Sequence, residues 1–161
     1  MTDQPAQPLF DDSPAAVACE VSQEMLDAAG LSATAAIQSE DADSVEIALE
    51  GEDAALLIGK QGQTLNAFQY IVGLIVARRL DRRFRVTVDA EQYRVRRAET
   101  LVKMAKDLAA QVREHNQEAV MDPLNAAERR IVHTALAEEP GISTYSEGED
   151  PDRRVVISPK A

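Results

Sequence analysis

The sequence predicts an α+β fold made of two small domains, the first of which is a three-stranded sheet with helices packed on it. Helix and strand patterns follow one another in the order α-β-β-α-loop-α-β-α over residues 14–115. The pattern breaks near Asn116, and a shorter α/β pattern fills residues 116–161. Hydrophobic residues make up 45% of the 161-residue chain and aromatic residues only 4%, which predicts a core of aliphatic side chains.

The first domain, at residues 14–115, is expected to begin after an acidic segment at residues 1–13 that has little to bury and should be disordered. Ser13 and Pro14 suit the cap and the first position of a helix. The stretch from Ser44 to Glu50 alternates apolar and polar residues, which is typical of a half-buried strand. The same signals predict helices at 14–29, 54–58, 64–80 and 91–115, and further strands at 34–39 and 85–89.

The second domain, at residues 116–161, is predicted to contain one helix and two strands that follow a short extended piece. We expect the extended piece at 118–121, the helix at 124–137 and the strands at 142–146 and 154–157, joined by an acidic turn at 147–151. The apolar stripe of the helix, which should face the core, is formed by Leu124, Ala127, Ile131 and Ala135.

Composition excludes several classes of protein. Cys19 is the only cysteine and there are two histidines, so we expect no disulfide, no metal site and no cofactor. The N-terminus lacks the basic and apolar regions of a signal peptide. The longest apolar stretch, Phe68–Ala77, is about half the length of a membrane span. These features predict a cytoplasmic protein without a membrane span.

Charge is distributed unevenly along the chain. The formal net charge is −11, which by itself argues against a nucleic-acid partner. However, residues 1–58 hold 13 acidic residues and no Lys or Arg, whereas residues 59–161 have a net charge of +2. Eight Arg and three acidic residues lie between Arg78 and Arg97. Because salt screens charges more than about 10 Å apart, a phosphate senses the local charge of the protein rather than its total. A polyanionic partner is therefore compatible with this sequence, and its binding should depend strongly on salt.

A glycine loop is the first candidate binding site. Gly59, Lys60, Gln61 and Gly62 place two polar residues between two glycines, so a sugar-phosphate backbone can approach without Cβ atoms in the way. The helix that follows presents its positive N-terminal end, and Lys60 adds a charge. Leu57 and Ile58 could form the floor of a groove for bases.

The order of elements around the loop indicates a fold. Two strands before the loop, then a helix and a third strand, match a type II KH domain, which clamps nucleotides in this way. The loop fits neither a Walker motif nor a dinucleotide fingerprint.

An Arg-x-x-x-His pair is the second candidate site. Arg129 and His133 lie four residues apart on the predicted helix, about 40° apart around its axis and roughly opposite Ile131. We therefore expect both side chains to be exposed and adjacent. Arginine offers a forked contact to phosphate, and histidine adds a donor or a stacking surface. The alternative is an ordinary solvated helix face that carries one histidine.

The two motifs together resemble a known family. The segments LIGKQGQTLNAFQYIVGLIVARR, RVTVDAEQYRVRRAETL, DPLNAAERRIVHTAL and ISTYSEGEDPDRRVVISPK are similar to those of the bacterial Jag family, also called KhpB, over about residues 30–160. The resemblance implies a type II KH domain and an Arg-x-x-x-His domain that bind single-stranded RNA, with single-stranded DNA as an alternative. The binding residues would be Gly59, Lys60, Gln61, Gly62, Arg129 and His133. The family loop often has a second basic residue at the position of Gln61, so a weaker phosphate clamp is expected here.

The resemblance also implies a cellular role. It points to an RNA chaperone or post-transcriptional regulator linked to cell shape, division and cell-wall homeostasis, with a small single-KH protein or a second copy as partner. A rival is a protein-interaction or dimerisation scaffold with little RNA binding, which the net charge of −11 and Gln61 favour. A nuclease or phosphatase is a third class, but no nucleophile, paired carboxylates or metal cluster is recognisable, so we expect no enzyme.

Overall fold

The computed structural model describes residues 13–161, so the disorder expected for residues 1–12 lies outside its described part. The chain forms two compact units that divide between Tyr93 and Arg94. The α+β class is confirmed, with helices and strands within two residues of their predicted bounds. The helices are α1 (Pro14–Ala28), α2 (Gln63–Leu80), α3 (Tyr93–His115) and α4 (Ala126–Leu136), and the strands are β1 (Thr34–Glu40), β2 (Ser44–Glu50), β3 (Arg85–Ala90), β4 (Ala119–Val120), β5 (Ile142–Glu147) and β6 (Arg154–Pro159). Within the described residues, every helix falls short of the length and apolar character that crossing a membrane requires.

The sheet of the first unit has the strand order β1-β2-β3. Strand β1 pairs antiparallel with β2, whereas β3 pairs parallel with β2, from Ser44 opposite Arg85 to Leu49 opposite Ala90. A parallel pair needs a crossover connection, since the chain must return to the starting end of the sheet. Residues 51–84 make that crossover. It contains two short 3-10 helices, Ala54–Leu57 and Lys60–Gly62, and then α2.

The core of the first unit lies between the sheet and the helices α1 and α2. The alternation predicted for β2 is confirmed, because Val45, Ile47 and Leu49 are buried while Glu46 and Glu50 are exposed. The other large buried side chains of this core come from the helices and from β3: Val21, Leu26, Leu65, Phe68, Val72, Val76, Val86 and Val88. This packing fixes both ends of the crossover.

Helix α1 begins as the sequence predicts and carries the single thiol. The hydroxyl of Ser13 accepts a hydrogen bond from the amide of Ala16 at 3.2 Å, and Pro14 occupies the first turn. Further along α1, the half-buried Cys19 lies against β1, where its Sγ contacts the carbonyl of Ala35 at 3.4 Å. Burial raises the pKa of the Cys19 thiol above its ordinary value.

The second unit packs α3 and α4 around a small antiparallel sheet. Its strand order is β4-β6-β5, so the last strand of the chain lies in the centre. Helix α4 starts at a capping box in which Asn125 and Glu128 exchange side-chain and backbone hydrogen bonds of 2.9 and 3.2 Å. The buried residues of the core come from α3, α4, β5 and β6 and from the segment between β4 and α4: Leu101, Ala105, Ala109, Val112, Met121, Leu124, Val132, Leu136, Ile142, Val155 and Ile157.

The predicted domain boundary at 115/116 differs from the observed one. The sequence assigned all of α3 to the first domain, yet its buried residues Leu101, Ala105, Ala109 and Val112 belong to the core of the second unit. Only Tyr93, the first residue of α3, packs against the first core. The helical period shows that α3 has a buried face but cannot show which core covers it. The boundary therefore lies at 93/94.

This assignment predicts how fragments of the chain fold. A fragment of residues 94–161 should unfold cooperatively in urea, because it keeps both sides of its core. A fragment of residues 116–161 lacks the four buried residues of α3 and should show no cooperative transition, since the loss of Leu101 and Val112 alone removes roughly 1.5–3 kcal/mol of burial each. Circular dichroism during urea titration measures both. A cooperative transition in the shorter fragment would contradict the boundary at 93/94.

Candidate nucleic-acid interface

The loop Gly59–Gly62 has an unusual backbone. Gly59, Gln61 and Gly62 have φ angles of 67°, 53° and 76°, so three of its four residues lie at positive φ. Glycine adopts such angles readily, but glutamine does so at a cost. The amide of Gln63 donates to the carbonyl of Lys60, which closes the turn directly before α2. The side chains of Lys60 and Gln61 are exposed, so the loop presents one cation and one amide to solvent.

Gly59 and Gly62 are also required because neighbouring side chains pack closely against them. A Cβ atom on Gly59 would overlap the side chain of Thr64. A Cβ atom on Gly62 would lie 2.6 Å from Cε1 of Tyr93, whose ring covers this residue. Gly62 is consequently buried, whereas the other three residues of the loop are exposed. The ring of Tyr93 thus supports the loop from behind and leaves its outer side open, a support that sequence reasoning missed because Tyr93 is 31 positions away.

The apolar residue beside the loop is not one of those expected. Leu57 is buried at 4% exposure and Ile58 is half-buried against the first core, so neither offers a floor for bases. Leu56 is instead 67% exposed and lies on the 3-10 helix that leads into the loop. The difference arises because a 3-10 helix of four residues turns each side chain by about 120°, so only some of them reach solvent.

The basic run at residues 78–85 lies away from the loop. It begins in the last turn of α2, about 25 Å from the loop at the rise of an α-helix. Arg79 pairs with Glu24 at 3.0 Å, and Arg82 pairs with Asp43 at 3.4 Å and stacks over Phe84. The charge of Arg82 is therefore paired with Asp43 beyond the C-terminal end of α2, away from the loop.

The structure corrects the expected exposure of Arg129. Its side chain is 10% exposed, and its Nη1 donates to the carbonyl of Leu124 at 2.6 Å and to Oδ1 of Asp150 at 2.9 Å. The buried face of α4 contains Arg129, Val132 and Leu136, whereas Ala127 is exposed. The predicted stripe through Ala127 and Ile131 is thus displaced around the helix, because the paired guanidinium can enter the interface with the sheet.

His133 lies on the same face of α4 and is half-buried against β5. Its Nδ1 is 2.7 Å from Oγ1 of Thr144, and its Nε2 is 2.8 Å from Oγ of Ser146. Burial, and secondarily the positive charge of Arg129, lower the pKa of His133 below its ordinary value of 6.5. The ring is therefore mostly neutral at pH 7. The predicted adjacency of Arg129 and His133 is consistent with this electrostatic coupling, whereas free exposure of both is not observed.

Two other polar residues organise this region. Nε of Arg97 donates to Glu128 at 2.9 Å, which links α3 to the first turn of α4. Arg130 is exposed and lines an open apolar groove between α3 and α4 together with Lys106. The hydroxyls of Thr144 and Ser146, which bracket the histidine ring, could be anticipated only from the alternation of β5.

Comparison with known proteins identifies both parts of the chain. Residues 16–88 match the family model of the KhpA/KhpB KH domain, and residues 99–159 match that of the Arg-x-x-x-His domain. The second match includes most of α3, in agreement with the boundary at 93/94.

Three curated proteins, each named RNA-binding protein KhpB, illustrate the similarity. The protein from Clostridium symbiosum is 38% identical over 144 residues, which cover 89% of this chain and 65% of that protein. The Bacillus subtilis (strain 168) protein is 44% identical over 119 residues, covering 73% and 57% of the two chains. The protein from Streptococcus pneumoniae serotype 2 is 32% identical over 114 residues, covering 71% and 35%. The chain therefore spans between 35% and 65% of the length of these relatives.

The packing of Gly62 predicts opposite effects for two glycine substitutions. Gly62→Ala should lower the free energy of unfolding by about 1–3 kcal/mol, because alanine is strained at positive φ and overlaps Tyr93. Gly73→Ala is the matched control, since Gly73 lies inside α2 with no atom within 4 Å of a new Cβ. It should stabilise by about 0.5–1 kcal/mol. Urea denaturation measures both, and equal effects would contradict the proposed contact.

The environment of His133 predicts its titration. NMR of the ring should give a midpoint below 6.5, because burial and Arg129 both disfavour the charged ring. Between that midpoint and pH 6.5, the histidine of the unfolded chain binds more protons than the histidine of the folded chain. The contribution of His133 therefore favours the folded state above pH 6.5 and is lost as the pH falls through this window. A midpoint at or above 6.5 would show that the ring is not desolvated by α4 and β5.

Proposed function

The chain belongs to the KhpB family, which combines a KH domain with an Arg-x-x-x-His domain, and from this premise we propose that it binds single-stranded RNA at two places. The KH loop Gly59–Gly62 holds a stretch of sugar-phosphate backbone. The surface of α4 and β5 around Arg129 and His133, called here the Arg-His face, holds a second stretch. Single-stranded DNA is the alternative ligand. Linking two weak sites raises the effective concentration of the second binding event, so the whole chain binds more tightly than either part.

The observation that carries the proposal is the shape of the glycine loop. Three residues at positive φ, closed by a hydrogen bond and supported by Tyr93, hold the loop in one conformation before any ligand arrives. A preformed backbone binds with a smaller loss of conformational entropy. The N-terminal end of α2 and Lys60 supply positive potential for phosphate, and Leu56 lies where an unstacked base can pack.

At the Arg-His face, phosphate would meet the guanidinium of Arg129, and nucleotides would meet the ring of His133 with the hydroxyls of Thr144 and Ser146. Because this ring is mostly neutral at pH 7, it contributes hydrogen bonding and stacking rather than charge. The four groups are fixed by α4 and β5, so this site also requires little ordering on binding.

We propose a non-enzymatic role in the cytoplasm as an RNA chaperone or post-transcriptional regulator, linked to cell shape, division and cell-wall homeostasis. The relatives named RNA-binding protein KhpB support the RNA ligand, and the family resemblance supplies the cellular role. A chaperone needs contacts that are sequence-tolerant and readily released. Backbone recognition by a loop with a single cation has both properties.

RNA binding by the loop can be tested without disturbing its glycines. The double substitution Lys60→Asp and Gln61→Asp places two carboxylates against the phosphates, and aspartate tolerates the positive φ of position 61 better than most residues. We expect affinity for a single-stranded RNA oligonucleotide to fall at least about tenfold at low salt, because one phosphate contact is lost and repulsion replaces it. Fluorescence anisotropy at two salt concentrations measures the change.

The matched control is Lys103→Asp with Gln111→Asp, which makes the same charge change at two exposed positions of α3. It should lower affinity by less than about threefold, since only the general field of the protein changes. If both double variants bind equally well, the loop does not hold RNA. If the parent protein itself fails to bind single-stranded RNA at low salt, the proposed function is wrong.

A second function, as a protein-interaction module, is supported by the outer face of α2. Tyr70, Ile71 and Leu74 are 67%, 45% and 53% exposed, and they adjoin one another at helical spacing. Adjacent exposed apolar residues on one helix are typical of protein interfaces. We propose that this face binds a second copy of the chain or a small single-KH protein, in addition to RNA binding elsewhere.

Self-association through this face is tested by Leu74→Glu, which places a charge at its centre. Light scattering should give the mass of a dimer for the parent and of a monomer for the variant, because a desolvated unpaired carboxylate is costly. Leu56→Glu makes the same change at a residue of 67% exposure beside the loop and should leave the mass unaltered. A monomeric parent at all concentrations would leave only the single-KH partner, tested by adding that protein to parent and Leu74→Glu.

A further inference from the structure

The guanidinium of Arg129 already has an anionic partner within its own chain. Its Nη1 is 2.9 Å from Oδ1 of Asp150, which belongs to the acidic turn between β5 and β6. The two side chains differ greatly in exposure, at 10% for Arg129 and 67% for Asp150. The cation is therefore fixed in the protein, whereas its partner lies largely in water.

A carboxylate and a phosphate group compete for the same donors of an arginine. Both accept charge-assisted hydrogen bonds from the guanidinium fork with similar geometry. A second bond from Nη1, to the carbonyl of Leu124 at 2.6 Å, holds the guanidinium in place whichever anion binds. Because Asp150 is 67% exposed, water screens its side of the ion pair, and a ligand that gains contacts elsewhere can displace the carboxylate.

From this geometry we infer that Asp150 sets the RNA affinity of the Arg-His face by occupying the position where Arg129 would bind a phosphate. The inference rests on the proposed function and deepens it. An RNA phosphate binds here by displacing Asp150. The free energy gained from its contact with Arg129 is therefore offset by the loss of the ion pair between Arg129 and Asp150. Only ligands that also engage His133 or the loop Gly59–Gly62 bind stably, which makes the face selective for extended strands over isolated phosphates.

The test compares two neighbouring carboxylates of the same turn. Asp150→Asn keeps the shape of the side chain and an oxygen that can accept from Arg129, but it removes the competing charge. Asp152→Asn makes the same change of net charge two residues away, at an exposed side chain with no ion pair to Arg129. Both are made in the parent chain and in the background of Lys60→Asp with Gln61→Asp, where the Arg-His face dominates binding. Thermal unfolding verifies that all of the proteins are folded.

We expect Asp150→Asn to bind a single-stranded RNA oligonucleotide about fivefold more tightly than the parent, the factor that corresponds to an ion pair of about 1 kcal/mol. The slope of log affinity against log salt should steepen by about 0.7, the value for one additional phosphate contact on a single strand. Asp152→Asn should change affinity by less than about twofold and leave the slope unchanged, since it alters only a screened field.

Equal effects of the two substitutions would overturn the inference, because the general charge of the turn would then account for them. Weaker binding by Asp150→Asn would also overturn it, since Asp150 would then be needed to orient Arg129. Inorganic phosphate provides a readout that does not need RNA. It should shift the Arg129 side-chain NMR signal of Asp150→Asn at lower concentrations than in the parent. If this shift occurs but no variant binds RNA, the proposed function fails while the competition at Arg129 stands.

Discussion

The parallel pairing of β2 with β3 is the constraint from which the loop site follows. Two neighbouring strands that point in the same direction can be joined only by a chain that crosses back over the sheet. Residues 51–84 make this return, and α2 packs its apolar face on the sheet as it does so. The glycine loop lies where the crossover turns into α2, at the exposed N-terminal end of that helix. After β3, Glu91 and Gln92 at φ angles of 53° and 54° reverse the chain and bring Tyr93 onto Gly62. The strand pair thus determines both the position of the loop and the side chain that supports it.

Sequence periodicity predicted the helices and strands well, but it predicted less well which parts of the chain pack against them. The alternation of β2 and the Ser13 cap of α1 are local signals, so they could be read directly. The assignment of α3 failed because an amphipathic helix shows that one face is buried without showing by what. The exposure of Arg129 failed for a related reason. Its burial depends on Asp150, 21 residues later, and on the carbonyl of Leu124, which precedes the N-cap of the helix, and neither partner is visible in a helical projection.

The chain is acidic, and its two candidate sites would bind a polyanion in different ways. At the loop, recognition depends on backbone shape, with Lys60 as its charge and most of the arginines of the first unit at the far end of α2. At the Arg-His face, the cation is buried and internally neutralised, and the neighbouring histidine is mostly uncharged at pH 7. Neither site depends on a broad positive surface, so a net charge of −11 is compatible with both. Both sites would recognise phosphates through fixed local contacts rather than through the attraction of a broad positive surface.

The setting of Cys19 has a consequence for experimental work on the molecule. A thiol reacts as its thiolate, and partial burial against β1 raises the pKa of this thiol, so less of it is thiolate at a given pH. Because Cys19 is the only cysteine of the chain, we expect the native protein to react slowly with maleimides and other sulfhydryl reagents. A cysteine introduced at an exposed position would therefore react faster than Cys19. Fluorophores or photocrosslinkers can be attached beside either candidate site without first removing a native residue from the core.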